Sequence, residues 1–251
     1  MTRDELWVCH LGTIPYLDAV ALQEHVRTRR QTNELPDTLL LLEHPPVYTR
    51  GRRSALGELA LGEDFYRTRG IDLVETNRGG RVTYHGPGQL VGYPIMEVTD
   101  IGSHLRTMEA AIVASLAGEG IEAHSRANEG PDYTGVWVGP RKIASIGVHI
   151  SRGISTHGFA VNVENDLDPF SWVIACGLPD VEMTSIASES QADSPAVETD
   201  DEGERLRCFR KRIAHDFCAA LGRRQRIVAP RRLGIDAPIA RPHSPRVAVA
   251  A

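Results

Sequence analysis

The 251-residue chain is nearly without lysine: of its 28 lysines and arginines, only Lys142 and Lys211 are lysine. Arginine therefore does the general cationic work, and a position that keeps a proton-exchanging lysine calls for a reason. Cysteine is also scarce. The four present, Cys9, Cys176, Cys208 and Cys218, form no CxxC pair, so neither a disulfide framework nor a zinc site is indicated. No window approaches the roughly 18 consecutive apolar residues of a membrane helix. The first residues place Asp4 and Glu5 where a signal peptide has its apolar stretch, so a soluble, cytoplasmic protein with no membrane partner is expected. Repeats and low-complexity tracts are missing as well.

What is present is an ordinary globular composition, 41% hydrophobic and 24% charged, with a net charge of −5. That charge is unevenly spread. Residues 187–204 carry seven acids and no base, whereas residues 222–251 carry seven arginines against one aspartate. The rest of the chain, outside these two segments, is mildly acidic, which speaks against a nucleic-acid partner. Residues 1–229 are expected to form one catalytic domain, with an exposed acidic loop at about 187–204. An Arg/Pro/Ala-rich tail, disordered or loosely attached, is expected over 230–251.

Hydrophobic spacing predicts strands at 5–12, 39–42, 72–76, 90–95, 136–138, 143–150 and 159–163. A helix is predicted from Thr13 and Pro15 to about Arg29 with Leu17, Val20 and Ala21 on its apolar face. Two more are predicted: one capped by Asp100 or Ser103 with Leu105, Met108, Ile112 and Leu116 in a stripe, one with Leu206, Phe209, Ile213, Phe217 and Leu221, closed by Gly222. Several strands follow one another with no helix between, which favours an α+β fold, a mixed β-sheet with flanking helices, over a doubly wound parallel sheet.

Four segments stand out chemically. Residues 78–90 read Arg-Gly-Gly-Arg-Val-Thr-Tyr-His-Gly-Pro-Gly-Gln-Leu; their glycines suit close backbone approach to a ligand or, equally, a glycine-rich hairpin. Neither dinucleotide nor phosphate-loop spacing is met. Residues 141–147, Arg-Lys-Ile-Ala-Ser-Ile-Gly, hold little side-chain volume, leaving room for a ligand or for tight sheet packing. His157 to Val163 again pairs glycine and alanine with a strand. Cys176, followed by Gly177 and Pro179, lies on a turn. A lone cysteine among apolar residues is more often inert, but a nearby cation or base would make it a nucleophile, and Lys142 is the conspicuous one.

In this order the four segments resemble the lipoyl(octanoyl) transferase family, grouped with the lipoate and biotin protein ligases, from about Leu39 to Ile186. Ala175 departs from the family, which often has proline before the cysteine. The resemblance implies a biotin/lipoate protein ligase-like catalytic domain needing neither cofactor nor metal. It implies transfer of an octanoyl group from octanoyl-acyl carrier protein, through a cysteine thioester, to a lysine of lipoyl domains in 2-oxo acid dehydrogenase subunits and glycine-cleavage H protein. Cys176 and Lys142 would be the catalytic dyad. Arg78, Gly79, Gly80, Arg81, Val82, Thr83, Tyr84, His85, Ser145, Ile146, Gly147, Gly158, Phe159 and Ala160 would bind substrate, with an amide near Gly147 or Gly177 holding the oxyanion. An ATP-dependent ligase of the same fold is the nearest alternative; it would need no cysteine. A non-catalytic binder of acylated carrier is the other.

Overall fold

The protein is described from a computed structural model, which covers residues 4–55, 57–174, 177, 181–192, 203–235 and 247–249. Cys176 lies outside these described residues.

The chain runs β1 (Glu5–Thr13), α1 (Tyr16–Gln31), β2 (Thr38–Glu43), β3 (Val47–Arg50), α2 (Glu63–Thr68), β4 (Asp72–Glu75), β5 (Thr83–His85), β6 (Gln89–Ile95) and α3 (Ile101–Ala117). It continues through β7 (His124–Ser125), β8 (Gly135–Val138), β9 (Arg141–Ser151), β10 (Ile154–Asn162), α4 (Asp168–Ser171), α5 (Ile186–Ala192), α6 (Glu204–Ala220), β11 (Arg224–Ile227) and β12 (Val247–Val249). Among the described residues the strands form two sheets. The larger has the order β11-β1-β2-β6-β10-β9-β8-β7, and the smaller β12-β4-β3-β5. In the larger sheet β11, β1 and β2 run parallel, and every other pairing is antiparallel. This is the expected mixed sheet, with helices on both faces.

The leucine run of β2 shows why. All of Leu39–Leu42 are fully buried: Leu39 and Leu41 join the core beneath α3 and α6, while Leu40 and Leu42 join the core beneath α1. A strand covered on both faces reads as a continuous apolar run. Asp100 caps α3 by accepting from Ser103 N at 2.6 Å, and the buried stripe Leu206, Phe209, Ile213 and Phe217 seats α6 against it. Lys211 is exposed on α6.

Three expectations change. The buried side of α1 is Tyr16, Ala19, Gln23 and Val26, not the Leu17 face, because Gln23 Oε1 is drawn inward to accept from His157 N at 2.6 Å. Part of the acidic stretch read as a loop is helical: α5 reaches Ala192, and Glu189 holds Arg141 at 2.9 Å; residues 193–202 lie outside the described residues. The segment after residue 229 begins as an anchored turn, Pro230–Leu233, with Leu233 fully buried and its carbonyl 3.0 Å from His25 Nε2. No helix among the described residues is long and apolar enough to cross a membrane.

Candidate active site

A cavity of about 280 Å³ opens between strands of the small sheet and β6, β9 and β10 of the large one. Its construction starts at Arg78. This buried guanidinium donates from Nη2 to Thr49 O and Arg81 O, both at 2.7 Å, and from Nη1 to Gly79 O at 3.0 Å. The glycine-rich segment is thus wrapped around a cation, with Gly80 at φ 88°. Gly79 N in turn donates to Val148 O at 2.9 Å, fastening the segment to β9. The contact demands a bare backbone on both sides: a Cβ on Gly147 would stand 2.7 Å from Gly79 O.

Across the cavity the large sheet contributes Ser145, Ile146 and Gly147 from β9 and Gly158, Phe159 and Ala160 from β10. Opposite them stand Arg78, Gly79, Gly80, Arg81, Thr83 and His85. Val82 and Tyr84 face the other way. They are buried with Tyr48, Tyr66 and Phe170 in the core of the small sheet, as period-two alternation along β5 requires, and do not line the cavity.

Lys142 lines the same cavity and is 2% exposed. Its Nζ lies 5.2 Å from the centre of the Trp137 ring, within cation–π range. Its backbone is held from both sides, Lys142 N donating to Glu182 O at 2.9 Å and Thr184 N donating to Lys142 O at 3.0 Å. The segment that leads to Cys176 is anchored from Glu58: Ile174 N donates to Glu58 O at 3.0 Å, and the Glu58 carboxylate pairs with Arg81 at 3.0 Å. Gly177 packs directly on Arg81 Cδ, and its own N–H turns back to Ile174 O at 3.4 Å. Arg81 therefore joins the cavity wall to Gly177 directly and to Ile174 through Glu58.

Residues that sequence reasoning missed sit beneath the cavity. Tyr16, Tyr93 and His157 line it, and His44 stands behind them. His44 Nδ1 lies 2.7 Å from Ile14 O and Nε2 lies 2.7 Å from Tyr93 OH, so the ring is a neutral Nδ1–H tautomer that accepts from the tyrosine. Burial pushes the His44 pKa down to about 4 and that of His157 to about 3; Arg78, His149 and His44 add to the latter. His85 is also driven well below the ordinary histidine range, first by burial and then by His44, Arg78 and His157, against its hydrogen bond to Gln89. No spacing in the sequence foretells this grouping, since its members come from the link before β3, from β5 and from β10.

Residues 15–206 match the lipoyl protein ligase A/B catalytic domain. The fold and this match define the class: the chain belongs to that family. Its curated relatives are octanoyltransferases. One from Solibacter usitatus is 47% identical over 189 residues, 73% of this chain and 84% of the relative. The mitochondrial octanoyltransferase LIP2 of Arabidopsis thaliana is 38% identical over 216 residues, covering 84% of this chain and 89% of the relative. Among solved structures, a lipoate-protein ligase A bound with ATP superposes with a TM-score of 0.63 at 18% identity, covering 93% of this chain and 92% of that one. A bipartite lipoate protein ligase from Thermoplasma acidophilum gives 0.61 at 20% identity, covering 92% and 90%. At these identities the structures speak for the fold alone.

Proposed function

We propose that this acyltransferase moves an octanoyl group from octanoyl-acyl carrier protein to a specific lysine of lipoyl domains, in 2-oxo acid dehydrogenase subunits and glycine-cleavage H protein, by way of a thioester on Cys176. Support comes from the octanoyltransferase relatives and, above all, from a buried lysine in the wall of a cavity that the small or apolar residues Ser145, Ile146, Gly147, Gly158, Phe159 and Ala160 also line. Attack of the Cys176 thiolate on the donor exchanges one thioester for another, and the carrier's thiolate leaves with a proton from Lys142. The acceptor amine then forms the amide bond as the C–S bond to Cys176 breaks. Lys142, as amine, takes the proton that keeps the acceptor lysine, at its usual pKa of about 10.4, non-nucleophilic at pH 7, and the second proton, lost as the amide forms, goes to the departing Cys176 sulfur. Arginine in place of Lys142 could not exchange that proton. The acyl chain lies along Ile146, Phe159 and Ala160. The reaction belongs in the cytoplasm, in a single catalytic domain.

Intact-mass measurement after mixing with octanoyl-acyl carrier protein tests this. Wild type should gain one octanoyl group, Cys176→Ala none, and Lys142→Ala should gain it slowly and fail to pass it on. Modification of the acceptor from free octanoate and ATP with Cys176→Ser still active would replace this reading by an ATP-dependent ligase.

A further inference from the structure

Gln89, Asn162 and His85 are all buried, and their hydrogen bonds leave no freedom of orientation. Gln89 Nε2 donates to Tyr84 O at 3.1 Å and to Asn162 Oδ1 at 3.0 Å. Both amide hydrogens are thereby used, and Gln89 Oε1 faces His85 Nδ1 at 2.7 Å. An acceptor at that distance requires the proton on Nδ1. Turning the Gln89 amide over would set its oxygen against the Tyr84 carbonyl. Turning Asn162 to match would set Oδ1 against Thr184 O, to which Asn162 Nδ2 donates at 3.0 Å. Two backbone carbonyls therefore pin the series. Its far end is the strand of Lys142, through the Thr184 N to Lys142 O bond of 3.0 Å.

We propose that Gln89 is a positioning residue: held by Asn162, it fixes His85 as the Nδ1–H tautomer, so that the bare Nε2 faces the cavity and accepts a hydrogen bond from the primary amine of the incoming lysine. This rests on the reading that an amine attacks an acyl group in this cavity. His85 lines the cavity, and its Nε2 has no hydrogen-bond partner among the described residues. Tyr16 stacks on the ring with centroids 5.8 Å apart, His44 meets it edge-on at 5.5 Å, and Arg78 and His157 complete its charged surroundings. In that setting the imidazole stays neutral and aims its lone pair without removing the proton. As the nitrogen bonds to the carbonyl carbon and the C–S bond to Cys176 breaks, the proton leaves through Lys142 to the departing sulfur. His85 only holds the remaining N–H in line.

Two readouts test the assignment. In ¹⁵N NMR of the wild-type protein, His85 should show a protonated Nδ1 and an unprotonated Nε2 from pH 8 to pH 5.5. Gln89→Leu should lose that single tautomer. In separated half-reactions, Gln89→Leu should slow transfer from the acyl-enzyme to the acceptor by about tenfold, the scale of one neutral hydrogen bond, while adduct formation stays within about twofold. Gln89→Glu gives up the donations to Tyr84 O and Asn162 Oδ1 but keeps an acceptor against Nδ1–H, so it should hold the proton there and, as a carboxylate, move the acid limb of the transfer step to higher pH. An Nε2–H tautomer in the wild type, or equal slowing of both half-reactions in both variants, would overturn the proposal. If the wild type forms no adduct, the acyl-enzyme reading fails, and the NMR result still decides whether Gln89 sets His85.

Discussion

At Gly135 the backbone takes a φ of 140°, and a Cβ built there would stand 2.8 Å from Lys142 Cε and closer still to Ala144 O. The lysine stem crosses β8 only because that strand offers no side chain at this point. Gly135 N is fixed as well, donating to the buried Glu109 carboxylate at 3.0 Å. Gly135→Ala should therefore cost about 1–3 kcal/mol of backbone strain and displace the Lys142 amine. Because a displacement on the order of 1 Å can cost about 100-fold in rate, octanoyl transfer should fall by roughly that factor while most of the protein stays folded. Urea unfolding and turnover on the same preparation separate the two effects. A turnover loss no larger than the unfolded fraction would show that Gly135 does not place the lysine. The sequence offered Lys142 through its scarcity and its motif; it offered nothing about Gly135, whose importance depends on a neighbouring strand.

Where α1, β5, β10 and the link before β3 converge, several histidines are kept neutral inside the protein. An unfolded chain binds protons at these residues below about pH 6.5, whereas folded His44 and His157 do so only near 4 and 3. Between those limits the unfolded state holds more protons. Stability should consequently be full above pH 6.5 and decline as pH falls, by up to about 1.4 kcal/mol per pH unit for each such histidine. Urea denaturation at pH 7.0, 6.0 and 5.0 should show the decline, and His44→Gln should make it shallower; an unchanged slope would mean that His44 is protonated in the folded protein. The long strands and the helices α3 and α6 were legible because each buries its own periodic pattern. In the small sheet β4 was legible but β3 and β5 were not: β3 is four residues long and follows a Pro-Pro pair, and β5 is three residues inside a glycine-rich motif, so their pairing depends on partners distant in sequence. For the same reason, Gln89 and Asn162 were visible as letters of two motifs, but their partnership exists only because β6 lies antiparallel to β10, Gln89 opposite Asn162. Thr184 belongs to no motif.

Across the molecule, Arg53 in the cavity wall belongs to a short basic run, Arg50, Arg52 and Arg53, although the chain as a whole is acidic. Arg50 is paired with Glu75 at 3.6 Å and Arg53 with Asp132 at 3.0 Å, while Arg52 projects into solvent. An acidic carrier protein would meet that charge before its acyl chain reached the cavity. Arg52→Glu should raise KM for the protein-borne donor several-fold, with the difference shrinking at about 1 M salt, and leave a small octanoyl thioester unaffected. Equal effects on both donors would remove steering from the account. The edge of the large sheet carries another consequence. Residues 5–8 of β1 pair with residues 224–227, near the opposite end of the sequence, while the other side of β1 pairs with β2. On the ribosome β1 and β2 can therefore join early, but the outer edge of β1 stays open until the chain through β11 has emerged; a polypeptide stopped within α6 would expose that edge to any neighbouring strand.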